Sequence, residues 1–568
     1  MLKNEYLVKT IKGFFGQIEI YLVDKSNYIV VPKGYISISM IREDYQFVKN
    51  IQAPKVTYGV WFKHFIFPNP INLFYLRKIL SHDHIASYSL ICSSSLVRAF
   101  FKLNRPIVKL THVLSVASYQ KIVLQNIKIA PQASVLSIIK GVFKPIGFYV
   151  ENQKRYPSIF KASAFGKTAY IIHNPKMIRH VLVSKNENYI KGNKYKFISY
   201  LLGKGLLTSD GEYWLRNRKI IQSSFNRKSI ERAFKIMIDK NVDFLSELKD
   251  SMTIDVNDFY GVLTLDILTS SIFSFGSREK VANLRKQIDH YQRHGRFLLK
   301  LPINYPKWVI RGKLKKSIDS IKLTVMTIIK QRQKSKDIKG DDLLDLMLNL
   351  TYEDNKKHMS SKQIRDEVIT LLIAGHETTT LAISWAVYEI ARNQDLQNLL
   401  REEIYLSLIE HKEINHAMLK ELKILDSLIY ETLRFYPPAF IFSRQTVEED
   451  TIEGYDVPAN VNVAINLFGL HRNPNYWKRP NEFIYDRFYK FSIPTKGNPY
   501  LMPFGLGSRS CLGSQFALLE IKVVLINLLT SFYLYPKGSV SINPGFTLTP
   551  NKKIKVRLER IFTTNDTS

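Results

Sequence analysis

Cysteine is nearly absent. With only Cys92 and Cys511 in 568 residues there is no disulfide framework, so the chain suits a reducing compartment unless one cysteine is kept for its chemistry. Long apolar runs are missing too: no window offers the ~18 uncharged apolar residues a membrane-spanning helix needs. The best candidates, residues 87–103 and 134–150, are broken by Arg98 and Lys102 and by Lys140 and Lys144. The first residues, MLKNEYLVKTIKGFFG, lack the apolar core and small-residue cleavage site of a secretory signal. Acidic side chains are scarce, 49 against 82 basic, a net charge of +33. Such a surplus invites nucleic acid, an anionic membrane or an acidic protein. Residues 1–130 carry 17 basic and six acidic side chains, so the surplus runs along the whole chain and forms no nucleic-acid stripe. No histidine cluster has zinc-like spacing. The expectation is a cytoplasmic protein that binds no nucleic acid and has no spanning helix. Residues 136–150, basic and amphipathic, could touch a membrane surface, although packing against their own domain is the favoured reading.

What is present argues for a large core: 45% of residues are apolar and 23% charged. Residues 1–128 alternate short β-branched runs with a helical pattern over residues 71–80, which fits a small α/β region; no catalytic constellation stands there and its role stays open. From residue 129 long helical patterns dominate. The clearest starts at Ser360, which forms a capping box with Gln363, and continues to about Asn393 with Ile364, Val368, Leu371 and Leu372 at helical spacing. Inside it sits AGHETTT, where Gly375 costs about 1 kcal/mol relative to alanine and three threonines can bond back to preceding carbonyls. Residues 414–435 predict one further helix, stopped before Pro437 and Pro438. Short β-like stretches with turns at Gly454 and Pro458 follow. From residue 129 on, this is a mainly α region with small β-sheets.

The segment PFGLGSRSCLGSQFALLEIKVVLINLL carries the chemistry. Gly505, Gly507 and Gly513 surround Cys511, and an apolar helix begins just after it. A metal-ligating thiolate needs its charge stabilised, and amide N–H groups from a glycine-permitted turn at a helix N-terminus can do that. Glycines also let backbone approach a large flat cofactor, and Arg509 can reach an anionic edge such as a propionate. A buried free cysteine in a glycine-rich loop is the competing reading of the same residues.

The run Phe504-Gly505-Leu506-Gly507-Ser508-Arg509-Ser510-Cys511-Leu512-Gly513 resembles the haem-binding signature of the cytochrome P450 family. Three other features follow that family's order. Ala374-Gly375-His376-Glu377-Thr378-Thr379 is similar to its oxygen-activating helix motif, Glu431-Thr432-Leu433-Arg434 to its Glu-x-x-Arg pair, and Trp214 with Arg218 to its Trp-x-x-x-Arg contact. The resemblance covers about residues 129–562, with a short tail after it, and implies a cytochrome P450 fold, with haem b between helices and a long central helix. Cys511 would be the axial iron ligand. Trp214, Arg218, Arg444 and Arg509 would contact propionates, and Phe504 and Gly513 would sit beside the ligand. Glu377 and Thr378 would relay protons during oxygen activation. Glu431 and Arg434 would be a buried structural pair joined by Arg487, although Tyr485 and Asp486 depart there from the family's usual proline and glutamate. His376 and His471 are read as structural or solvent-exposed, since thiolate haem needs no imidazole.

The implied activity is a monooxygenase inserting one oxygen atom of O2 into a C–H bond of an apolar substrate. A fatty acid is favoured because KFISYLLGKGLLTSDGEYW resembles fatty-acid-hydroxylating members, with Phe197, Tyr200, Leu201 and Leu202 as an apolar lid. No dinucleotide fingerprint follows the domain, so electrons are expected from a separate ferredoxin or flavoprotein reductase. A peroxide-dependent haem-thiolate enzyme and a non-enzymatic haem sensor or regulatory fusion are the alternatives.

Overall fold

The computed structural model describes strands in residues 8–13, 16–23, 57–62 and 88–92, and residues 128–561 apart from 165, 276–277, 301–311, 335–341, 353–357 and 494–496. The chain divides into two units, Met1–Asn126 and Ile127–Ser568. In the first, strands Val8–Gly13, Gly16–Val23, Thr57–Phe62 and Tyr88–Cys92 form a four-stranded sheet, antiparallel except for the last, parallel pair. The helical pattern over residues 71–80 lies outside the described residues.

The second unit is built around the helix Ser361–Ala391. Its capping box is formed: the Ser360 side chain accepts from the Gln363 N–H, and the Gln363 side chain accepts from the Ser360 N–H. Twenty-three of its 31 residues are buried, so it is enclosed nearly all round by its neighbours and carries several buried polar side chains. Helices Val256–Phe273, Lys313–Lys334 and Ser514–Ser531 pack on it. The approach of Val256–Phe273 is close, since a Cβ added at Gly375 would meet Leu268 Cδ2 at 3.0 Å. The threonines bond back: Thr378, Thr379 and Thr380 donate to the carbonyls of Ala374, Gly375 and His376 at 2.8, 3.0 and 2.7 Å.

A five-stranded sheet runs in the order Ile159–Ala164, Lys167–Ile172, Asn462–Asn466, Ile441–Thr446, Tyr189–Ile190. Its register sets Arg444 opposite Val463 and buries it. The helix Ser514–Ser531 is long and apolar enough to cross a membrane by length and composition, with Glu520 and Lys522 its charged residues. Here Val523, Val524, Leu525 and Leu528 are wholly buried in the core.

One expectation is corrected. Residues 414–435 form two helices, His416–Glu421 and Lys423–Phe435. The break follows from a tertiary cap: the Glu403 carboxylate accepts from the N–H groups of Ile424 and Leu425 at 2.7 and 3.0 Å, stabilising a new helix start. The basic segment packs against its own domain through Ile138, Ile146, Phe148, Tyr149 and Val150, as favoured, while one face of the helix Val135–Phe143 stays exposed. Val135, Leu136 and Phe143 are 63%, 63% and 81% exposed, while Ser137 turns inward to accept from Asn152.

Candidate functional site

Cys511 stands between a single 3-10 turn, Gly507–Arg509, and the helix Ser514–Ser531. The loop closes through the Cys511 N–H donating to the Phe504 carbonyl at 2.9 Å. Gly505 and Gly507 have φ of 69° and 71°, the left-handed region, and a Cβ at Gly507 would lie 2.0 Å from the Leu182 carbonyl oxygen. Gly513 has an ordinary φ of −87° and caps the helix. Cys511 is accessible to solvent, yet enough protein surrounds its sulfur that burial pushes the thiol pKa up; the Gly513 N–H and the Arg218 charge act in the opposite direction. Arg218 is fixed by donating to the Ser510 carbonyl at 2.9 Å.

Around this loop gathers a surplus of positive charge. Arg509 donates to the Ser209 carbonyl at 2.9 Å, pairs with Asp210 and lies 3.9 Å over the buried Trp214 ring. Arg444 reaches in from its strand and bonds the Tyr195 hydroxyl, and the Lys191 ammonium sits 4.1 Å over the Tyr195 ring. Burial lowers the pKa of Arg509 to about 10 and lowers those of Arg444 and Arg218. Lys191 is held well below its ordinary value by burial and by Arg444 and Arg509. Asp210 is the carboxylate these cations share. A desolvated cationic cluster of this kind calls for an anionic ligand.

Midway along, one face of the central helix is accessible. Ala374 is exposed and Gly375 and Thr378 are partly so, midway along a helix otherwise buried. Ala374 and Thr378 are four residues apart and therefore share a face. Glu377, about 100° further round, looks elsewhere: its carboxylate accepts from Gln292 Nε2 at 2.7 Å and from Thr547 Oγ1 at 2.9 Å. Glu377 and Thr378 are thus neighbours in sequence whose polar atoms serve different partners. His376 is buried, not solvent-exposed. Its Nδ1–H donates to the Leu372 carbonyl and its Nε2 accepts from Arg285, both at 2.6 Å, and burial with Arg285 beside it drops its pKa to about 3.

Nearer the N-terminus of that helix lies a carboxylate pair that sequence reasoning did not single out. Asp366 accepts from the Lys204 N–H at 2.9 Å, and Glu367 accepts from the Leu206 N–H and from Asn217, both at 2.8 Å. Burial, with Asp366 adding to it, raises Glu367 to about 7. Its folded pKa therefore exceeds the ordinary value of 4.5, so the stability it contributes is complete below that value and lost as pH rises through about 7. Glu367→Gln should gain on the wild type by roughly 3 kcal/mol between about pH 5 and about pH 8. Urea midpoints of both proteins at the two pH values check it, and parallel stability curves would contradict it.

Glu431, Arg434 and Arg487 form a cluster with side chains at most 1% exposed. Arg434 Nε and Nη2 donate to the two Glu431 oxygens at 2.7 and 2.8 Å, Arg487 Nε donates at 2.9 Å, and the Ile484 N–H adds 2.8 Å. His471 is buried beside them and accepts from the Met502 N–H at 3.1 Å.

Among residues proposed as a lid, Leu202 is buried, and the side chains of Phe197, Tyr200 and Leu201 lie outside the described residues. Lys191, Tyr195 and Asp210 were missed because each becomes part of the cluster only through folding. Glu367 left a signal, adjacent acids within an apolar helical run.

The Cytochrome P450 family model matches residues 136–558. The chain is 30% identical over 428 residues to cytochrome P450 4d2 of Drosophila melanogaster, covering 69% of this chain and 84% of that one. It is 27% identical over 461 residues to the chloroplastic cytochrome P450 97B2 of Glycine max, covering 70% and 80%. The haem domain of cytochrome P450DA, a solved structure, shares the fold with a TM-score of 0.69 at 23% identity, covering 77% of this chain and 98% of its own.

Proposed function

This chain belongs to the cytochrome P450 family of monooxygenases, with haem b as cofactor, and from that premise we propose that it inserts one oxygen atom of O2 into a C–H bond of an apolar substrate, a fatty acid first among the candidates. The observation that carries this reading is the Cys511 thiol, flanked by the Gly513 N–H and Arg218 and set beside a buried basic cluster. Those residues fit the cofactor, because its iron takes a thiolate and its two carboxylates match guanidinium groups left with a positive surplus. When bound, the haem supplies the oxygen chemistry, and a thiolate ligand favours O–O cleavage.

The protein's part is binding and proton handling. Cys511 would hold the iron, Trp214, Arg218, Arg444 and Arg509 would hold the carboxylate edge, and Phe504 and Gly513 would fix the loop. Thr378 carries a hydroxyl on the open face of the central helix. In the free chain that hydroxyl donates to the Ala374 carbonyl at 2.8 Å, and its lone pairs can accept from water. Glu377, oriented by Gln292 and Thr547, is the carboxylate from which protons are resupplied. Thr378→Ala is expected to cut product formed per electron consumed by about tenfold or more, with peroxide released instead. Product, NADPH and peroxide measured together check this. Unchanged coupling would overturn the proton-relay role.

Electrons are expected from a separate acidic ferredoxin or flavoprotein. Exposed Arg227 and Lys228 follow Phe225, which lies beside Gly513, and offer such a partner a basic surface. The exposed apolar face of Val135, Leu136 and Phe143, with Lys140 and Lys144 near it, fits a peripheral contact with an anionic membrane. A screen of fatty acids for a substrate-induced haem spin shift tests the substrate class.

A further inference from the structure

We propose that Asp366 and Glu367 are positioning residues for the cofactor's carboxylate edge: they hold residues 203–210 against the central helix, and that segment holds Arg509. The inference rests on the family-based reading above, since it concerns the same anion-binding cluster.

The connection can be followed bond by bond. Asp366 takes the Lys204 N–H and Glu367 takes the Leu206 N–H, so two successive acids of one helix anchor alternate amides of one loop. The second Glu367 oxygen takes Asn217, on the helix that bears Trp214 and Arg218. The loop lies so near that side chains are excluded. A Cβ at Gly203, whose φ is 91°, would meet the Asp366 carboxyl carbon at 2.1 Å, and one at Gly205 would meet Thr370 Oγ1 at 2.0 Å. Beyond the anchor the segment is wound tight. Thr208 Oγ1 donates to the Gly203 carbonyl at 2.7 Å, and Ser209 Oγ donates to the Gly205 carbonyl at 2.8 Å. A shift at 203–206 is thereby carried to 209–210. There the Ser209 carbonyl and the Asp210 carboxylate receive Arg509, and the other Asp210 oxygen takes the Lys191 N–H at 2.8 Å.

Two neighbouring buried acids are an expensive way to hold a loop when apolar packing is available. What they provide is a fixed length, because charge-assisted bonds hold their partners within a few tenths of an ångström. A guanidinium reading a carboxylate depends on placement of that order.

The test uses the haem-loaded protein at about pH 8, where Glu367 is largely ionised. Haem transfer to excess apomyoglobin is timed for the wild type, Glu367→Leu, Glu367→Gln and Gly205→Ala. The glycine variant displaces the loop by sterics and leaves both acids in place, so it covers the case in which Glu367→Leu folds poorly. Glu367→Leu and Gly205→Ala are each expected to speed haem loss about tenfold, and the double variant no further. Glu367→Gln, which keeps an acceptor for Leu206, should stay within about threefold. Hydrogen exchange of residues 203–210 in haem-free protein should quicken in Glu367→Leu and Gly205→Ala alike. Haem loss at the wild-type rate in both, with that exchange quickened, overturns the proposal alone. A wild type that takes up no haem overturns the family-based reading and the proposal with it.

Discussion

Cys511→Ala is expected to abolish the thiolate signature in the spectrum of the reduced, carbon-monoxide-treated protein and to lower monooxygenase turnover by at least about a thousandfold, some 4 kcal/mol of barrier. Without a ligand, burial favours the neutral thiol, and one N–H from Gly513 and the Arg218 charge oppose it only in part. Ligation would need the thiolate, and those two groups would stabilise that anion. Alanine removes that anion while the loop around it survives. The closure between the Cys511 N–H and the Phe504 carbonyl is backbone only, and the left-handed Gly505 and Gly507 do not depend on the sulfur. The variant should therefore fold, melt close to the wild type when both are free of haem, and still present the basic cluster. Cys511→His separates ligation from charge, since imidazole can bind iron but brings no negative charge to it; haem should be retained and the thiolate band lost. A normal thiolate band in either variant would remove Cys511 from the site.

How much of this could be read from the sequence depended on whether a feature was local. The cysteine loop was legible because its glycines, its arginine and the helix after it lie within a few residues of one another. The central helix was legible through its capping box and its apolar spacing. Features set by distant partners were not. The break at Leu422 comes from Glu403, about twenty residues away, and nothing within residues 414–435 marks it. The Arg509 environment needs Lys191, Tyr195 and Asp210, three residues scattered through the segment before the Trp214 helix. The partners of Glu377, Gln292 and Thr547, could not be read from its place beside Thr378, because they come from distant elements. In the basic segment, Ile138, Phe148 and Tyr149 pack as expected while Val135, Leu136 and Phe143 stay exposed, because periodicity reports amphipathicity and leaves open which side chains will be covered.

Glu431→Ala should be the most destabilising single change in the domain, by about 3–5 kcal/mol, because it leaves charge buried without a counter-ion. Arg434 and Arg487 share one carboxylate and spread the rest of their charge onto carbonyls. Arg434 donates to His471 at 2.6 Å, Pro480 at 2.9 Å and Glu482 at 3.0 Å, and Arg487 to Glu482 at 3.0 Å and Arg479 at 3.2 Å. A third guanidinium, Arg472, is already lowered to about 9 by burial and by Arg434, and His471 to about 3 by burial and the same neighbours. Glu431 is the one carboxylate bonded directly to both Arg434 and Arg487 among the described residues, so its loss leaves both without their direct counter-ion. Against a total stability of about 5–15 kcal/mol, the loss should reduce soluble yield and move the denaturant midpoint sharply. Glu431→Gln, which retains one acceptor oxygen, should lose less, and Arg434→Lys should fail through loss of the two-pronged contact. The damage should also reach the cysteine loop, since His471 joins this cluster to the Met502 N–H, two residues before Phe504. Haem content and denaturant midpoint are then expected to fall together across the series. A Glu431→Ala protein less than about 1 kcal/mol below the wild type with full haem content would mean that the buried charges find compensation outside this cluster.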